Sequence, residues 1–129
     1  MSKKLLLCLI SLAAILFLLT GCSQEEFPAG KSIVTEYRDQ KLTIYFNADG
    51  TFQFVWPDRG GLATDGTYSV EGNKLTFESD STCEEQGHPG HTYEWKITDD
   101  QIAFEPVGDD PCFDRLGTMG KGRVWIIEP

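Results

Sequence analysis

The chain has 129 residues, 40% of them hydrophobic, and a formal net charge of -9 from 20 acidic and 11 basic side chains. That length supports one small domain and excludes a multidomain architecture. The acidic balance excludes nucleic acid as a partner and offers anionic lipid no basic patch.

Lys3 and Lys4 precede an apolar run from Leu5 to Leu19, which closes on Leu19-Thr20-Gly21-Cys22. A positive start, a short apolar core and small residues at the cut make a secretory signal peptide. The run is 15 residues long, short of the about 20 that a spanning helix needs. All four positions of Leu19-Thr20-Gly21-Cys22 match the lipobox, so this N-terminus resembles that of bacterial lipoproteins. The resemblance implies cleavage before Cys22 and acyl chains of the palmitate class on the Cys22 thiol. Residues 1–21 are then the cleaved signal peptide, residues 22–30 the lipidated cysteine and its tether, and residues 31–129 the folded domain. Cleavage leaves 108 residues and removes Lys3 and Lys4, moving the formal charge to -11. Two chains on one cysteine meet the requirement that stable anchoring takes two signals. The expected partner is the lipid bilayer, reached through those chains from the extracytoplasmic side of the cell envelope. Ser23, where the family analogy puts an Asp for inner-membrane retention, fits the outer membrane of a source that has one.

Of the four cysteines, Cys8 leaves with the signal and Cys22 carries lipid. Cys83 and Cys112 remain, an even pair in an oxidising compartment, and the default is one disulfide. A metal site or free thiols are the alternatives. A disulfide here closes a loop of about 30 residues and contributes roughly 3 kcal/mol through the unfolded state.

Residues 23–30 are polar and interrupted by Pro28 and Gly30, as a tether would be. Beyond Lys31 no helical period appears; short runs of β type alternate with turn residues. Ile33–Tyr37 is the first. Leu42, Ile44 and Phe46 alternate with Lys41, Thr43 and Tyr45, and Asn47–Gly50 turns the chain. Phe52, Phe54 and Trp56 follow until Pro57–Gly61 breaks the strand. Leu62–Val70 and Lys74–Glu78 flank Glu71-Gly72-Asn73 in the clearest hairpin of the chain. A loop is expected from Ser79 to Gly90. Tyr93, Trp95 and Ile97 then alternate with Glu94, Lys96 and Thr98, and Ile102 and Phe104 follow the Asp99-Asp100 turn. One short helical turn is expected near 110–117, started by an Asp cap. Arg123–Ile127 is apolar on both faces and predicts a fully packed strand.

Eight strands joined by short connections favour sequential antiparallel pairing. The fold class is therefore all-β, an eight-stranded antiparallel up-and-down barrel with no exposed edge; a sandwich is the alternative. The order of Asp49-Gly50-Thr51-Phe52, Gly66-Thr67-Tyr68-Ser69-Val70 and Gly72-Asn73-Lys74-Leu75-Thr76-Phe77 resembles the small lipocalin-like (calycin) barrels of bacteria. Cys83, Tyr93-Glu94-Trp95, Ile102-Ala103-Phe104, Asp110-Pro111-Cys112, Arg115 and Trp125 extend the resemblance from about Phe27 to Trp125. It implies a barrel whose interior holds a small apolar molecule or is filled by side chains. True lipocalins place a Trp in the first strand under a later Arg. Here that strand has no Trp, and Arg115 or Arg123 is expected on Trp95 or Trp125 instead.

Phe46, Phe54, Tyr68, Phe77, Trp95 and Phe104 are the residues expected to line a ligand or build the core. If they fill the interior, function moves to the loops 57–61 and 79–90. For metal, His88 and His91 with Glu84 and Glu85 are the candidate ligands, through imidazole nitrogen and carboxylate oxygen. A solvated loop explains the same residues. Asp109, Asp110 and Asp114 suit either an acidic cap and turn or a calcium site. No serine sits in a nucleophile elbow, and Cys83 and Cys112 are better used in pairing. The expectation is a monomeric, membrane-anchored, non-enzymatic binding or interaction module without a cofactor. The alternative is an envelope metal-binding or stress-sensing lipoprotein using the His88/His91 loop.

Overall fold

The computed structural model describes residues 25–120 and 122–129; the signal segment and Cys22 lie outside them. Eight strands form a closed antiparallel barrel in chain order, β8 pairing back onto β1. They are β1 Lys31–Tyr37, β2 Gln40–Phe46, β3 Thr51–Trp56, β4 Gly61–Glu71, β5 Lys74–Asp80, β6 His91–Thr98, β7 Gln101–Pro106 and β8 Val124–Ile127. A 3-10 turn, Pro57–Arg59, and two short helices, α1 Ser81–Glu85 and α2 Phe113–Met119, interrupt the meander. Among the described residues no helix is long and apolar enough to cross a membrane.

The period-two pattern sets what faces inward, because successive side chains on a strand point to opposite faces. Ile33, Leu42, Ile44, Phe46, Phe52, Phe54, Leu75, Phe77, Tyr93, Ile102, Phe104 and Trp125 are buried in one cluster. Edge-to-face pairs, Phe52 with Phe77 at 5.0 Å and Phe46 with Tyr68 at 5.1 Å, tile the interior. Each such buried side chain contributes roughly 1.5–3 kcal/mol relative to exposure.

Local chemistry fixes the register. Gly66 pairs with Asp80 just before the register shift between Thr67 and Tyr68, and a Cβ there would lie 2.0 Å from the Ser79 carbonyl oxygen. Glu71 pairs with Lys74 across the expected hairpin, with Gly72 at a positive φ of 57°. The β1–β2 hairpin is also two residues long, but Arg38 and Asp39 both take positive φ, 49° and 62°.

Strand direction gives the barrel two different ends. The β2–β3, β4–β5 and β6–β7 turns share one end with residues 25–30 and the C-terminus. The β1–β2 turn, the 3-10 turn, α1 and α2 occupy the opposite rim. Part of the segment read as tether belongs to the barrel's packing. Phe27 stacks on Phe46 at 4.9 Å, Trp95 at 5.6 Å and Tyr68 at 5.9 Å, plugging the first end, and Pro28 is buried.

Three local expectations are corrected. The stretch 79–90 is not loop throughout: Ser79 and Asp80 finish β5, and Asp80 caps α1 by accepting from the Cys83 N–H at 3.1 Å. Five residues are too few for a helical period to show. The helix near 110–117 starts at Phe113 after Cys112, without a side-chain cap. Asp110 instead accepts from the Cys112 N–H at 2.9 Å and turns inward. Finally, β8 is not packed on both faces: Trp125 is fully buried while Val124 and Ile126 are 44% and 41% exposed. Only one face of a barrel strand meets the core.

Candidate functional site

The rim away from the chain termini is where side chains do more than fill space. α1 and α2 lie across it, joined by the Cys83–Cys112 disulfide with Cα atoms 5.5 Å apart. Both cysteines are buried. On α2, Arg115 and Met119, four residues apart and so on one helical face, point into the barrel mouth and are buried. A cation takes the place where periodicity would put an apolar residue.

Arg115 is held from several sides. Its Nε donates to Asp110 Oδ2 at 2.7 Å and its Nη2 to Asp110 Oδ1 at 2.9 Å, a two-pronged pair. Nη1 donates to the Pro89 carbonyl at 3.0 Å and lies 3.7 Å from Asp80 Oδ2. Nη2 also reaches the His88 carbonyl at 3.3 Å, and the guanidinium lies over the Phe77 ring. The Tyr93 hydroxyl donates to Asp110 Oδ2. Asp80 is shared, accepting from Thr64 Oγ1 at 2.7 Å as well as from the Cys83 N–H.

The protonation states follow from these partners. Burial alone would raise the Asp110 carboxyl, but hydrogen bonds from Arg115, Tyr93 and the Cys112 N–H hold it below its ordinary value. Burial works against the Arg115 cation, and Asp110 more than restores it. Burial first, then the Asp110 carboxylate, pushes the Tyr93 phenol well above its usual range. Arg115, Asp110 and Tyr93 therefore stay as a cation, a carboxylate and a neutral phenol, with their donors and acceptors matched.

Two clefts flank α2. One, about 230 Å³, runs between α2 and β3–β4 over Phe54, Thr64, Asp80, Cys83 and Arg115. The other, about 210 Å³, lies on the β1–β2 side, between Tyr37, Leu42, Trp56, Phe113 and Arg123. Trp56, Asp114 and Thr118 border both.

The residues expected to line a ligand or form the core meet inside the barrel. Phe46, Phe54, Tyr68, Phe77 and Phe104 are buried, and Trp95 packs on them from the plugged end. The expected arginine–tryptophan stacking is corrected: Arg115 covers Phe77 and Arg123 covers Tyr37, 4.6 Å from its centroid. Glu84 and Glu85 are exposed on α1 and His88 is exposed just after it, whereas His91 is in β6 with its ring against Tyr93. Among the described residues no three His, Cys, Asp or Glu side chains are grouped to hold a metal ion. The His88–Pro89 stretch acts through its carbonyls, which fix Arg115. Cys22 lies outside the described residues.

Sequence reasoning did not assemble Asp80, Tyr93, Asp110 and Arg115, which are spread over two strands, a loop and a helix. The available signal was Arg115 itself, set four residues before Met119 next to a half-cystine.

Comparison of the chain with protein-family models, with curated proteins and with solved structures found no match.

Proposed function

We propose that this is an exported lipoprotein, anchored through acyl chains on Cys22, whose barrel is a rigid, lipocalin-like, non-enzymatic binding module. Its working surface is the helix-covered rim. The observation that carries this reading is the barrel's polarity. The end next to the lipidation site is plugged by Phe27 and ringed by acids, Glu25, Glu26, Asp99, Asp100 and Glu128, near the chain termini. The opposite rim carries both α2 clefts and all four arginines of the chain, Arg38, Arg59, Arg115 and Arg123.

From Cys22 to Phe27 the chain reaches at most about 18 Å. The short tether therefore keeps the plugged end near the bilayer even though anionic headgroups repel its carboxylates. The barrel then presents the other rim outward. The filled interior supports a surface site over a buried one, since an eight-stranded barrel holds side chains or one small ligand. Of the acid and base groups lining the 230 Å³ cleft, Asp80 and Arg115 pair with each other and Asp114 accepts from Gln86 Nε2, which favours binding over catalysis there.

Mass spectrometry of the protein extracted from membranes tests the reading. The expected N-terminal peptide begins at Cys22 and carries diacylglyceryl, and Cys22→Ser leaves an uncleaved, unacylated chain. An unmodified Cys22 or an intact residue 1–21 segment in the wild-type protein would refute it.

A further inference from the structure

Three guanidiniums lie over two neighbouring rings of the outward rim. Arg38 lies over the Tyr37 ring at 5.2 Å, Arg123 over the same ring at 4.6 Å, and Arg59 over Trp56 at 5.5 Å. The two rings are 6.2 Å apart. Acidic residues outnumber basic ones 20 to 11 in the chain, yet among the described residues none of the three arginines forms an ion pair.

Stacking on an exposed ring stabilises by about 0.5–1 kcal/mol, and that alone explains one arginine on each ring. It does not explain Arg123, whose Nε is buried and has no hydrogen-bond partner among the described residues. The one hydrogen bond of its side chain among the described residues is a long one, from Nη2 to the Gly117 carbonyl at 3.4 Å. Nor does it explain Arg38 in a left-handed turn position, φ 49°, which costs a side-chain-bearing residue about 1 kcal/mol or more.

The 210 Å³ groove opens beside this cluster. Tyr37, Trp56 and Phe113 wall it, Leu42 contributes to its lining, and Arg123 borders it. Phe113 is 82% exposed, so one wall is an aromatic ring left in water. Of the carboxylates close by, Asp114 Oδ2 accepts from Gln86 Nε2 and Asp58 Oδ2 from the Lys41 N–H at 3.1 Å, while Asp39, beside Arg38 in the turn, forms no ion pair among the described residues. Ligand pockets for drug-sized molecules run from about 300 to 1,000 Å³, so this one admits a single ring or short alkyl chain. The apolar walls and the arginine forks together match such a group carrying a carboxylate, which guanidinium binds through paired N–H donors.

We propose that the Tyr37–Trp56–Phe113 groove binds an apolar carboxylate. The ring or alkyl part enters the groove, and the carboxylate meets the Arg38, Arg59 and Arg123 guanidiniums. The ligand is a free organic acid or the C-terminal residue of a polypeptide. The inference rests on the outward rim being the working surface and not on lipidation. A failure of binding therefore leaves the Cys22 mass untouched, and an unmodified Cys22 leaves the binding result standing.

The test titrates the full-length protein with 3-phenylpropionate, with its neutral amide, and with a tetrapeptide ending in a free phenylalanine carboxylate. The readout is the Trp56 indole N–H resonance. Saturable shifts are expected with at least one of the two carboxylates, and which of the two binds more tightly identifies the source. Binding at least about tenfold weaker is expected for the amide and after Arg123→Met, each of which loses a charge-assisted pair. Arg38→Asn keeps the turn and relieves its backbone, so lost binding there cannot be a folding defect; a several-fold weakening is expected. An amide that binds as well as the acid, variants that bind as well as the wild type, or no saturable shift with either carboxylate would overturn the proposal.

Discussion

Arg115 is the residue on which the rim depends. It is an ion taken almost fully out of water, its side chain 2% exposed, and it is stable there because two carboxylates and two carbonyls surround it. Breaking a buried pair from one side costs about 3–5 kcal/mol, since the remaining charge is left uncompensated. Arg115→Met is therefore expected to lower the denaturation free energy by about that amount. Adding Asp110→Asn to it should recover part of the loss, because the stranded carboxylate is gone. Urea titrations of both variants check this. Asp110 also governs acid behaviour. Its carboxyl is depressed in the fold, so the folded chain takes up that proton less readily than the unfolded chain. The stabilisation is complete above about pH 4, the ordinary carboxyl value, and is lost as pH falls through the lower folded value. Asp110→Asn should flatten the acid limb of a melting-temperature profile below about pH 4 and leave its slope between pH 6 and 8 unchanged.

Among the elements, the strands were legible because alternation reports burial directly. Leu42, Ile44 and Phe46, or Leu75 and Phe77, fit one face of a sheet and no helix. The helices were harder to read. α1 has five residues and α2 seven, about one and two turns, and their inward positions hold Cys83 and Arg115 in place of an aliphatic stripe. The disulfide that staples them was legible from the cysteine count together with the exported compartment that the lipobox resemblance implies. The candidate site was half visible. Its arginines and aromatics are plain in the sequence, but only barrel closure brings Tyr37, Trp56 and Arg123 together across β1, β3 and the approach to β8. The β1–β2 hairpin offers a test at this scale. A two-residue turn with positive φ at both positions favours Asn-Gly, and this chain has Arg38-Asp39. Arg38→Asn with Asp39→Gly should raise stability by about 1–2 kcal/mol, read as a higher urea midpoint with unchanged slope. A fall in midpoint would mean that the arginine stack outweighs the turn.

At the scale of the molecule, two features of different origin point the same way. Phe27 ties the start of the fold to one end of the barrel, and the disulfide ties α1 and α2 to the other. With the proposed acylation of Cys22, the short reach from that residue would turn this polarity into an orientation: plug toward the bilayer, rim toward the surroundings. The direct measurement is paramagnetic broadening of amide signals with the full-length protein in lipid nanodiscs that carry a gadolinium-labelled headgroup. The account predicts broadening at the Asn47–Gly50 and Asp99–Asp100 turns, with α2 and the Trp56 indole left sharp. Broadening centred on α2 and Trp56, with those turns sharp, would contradict it.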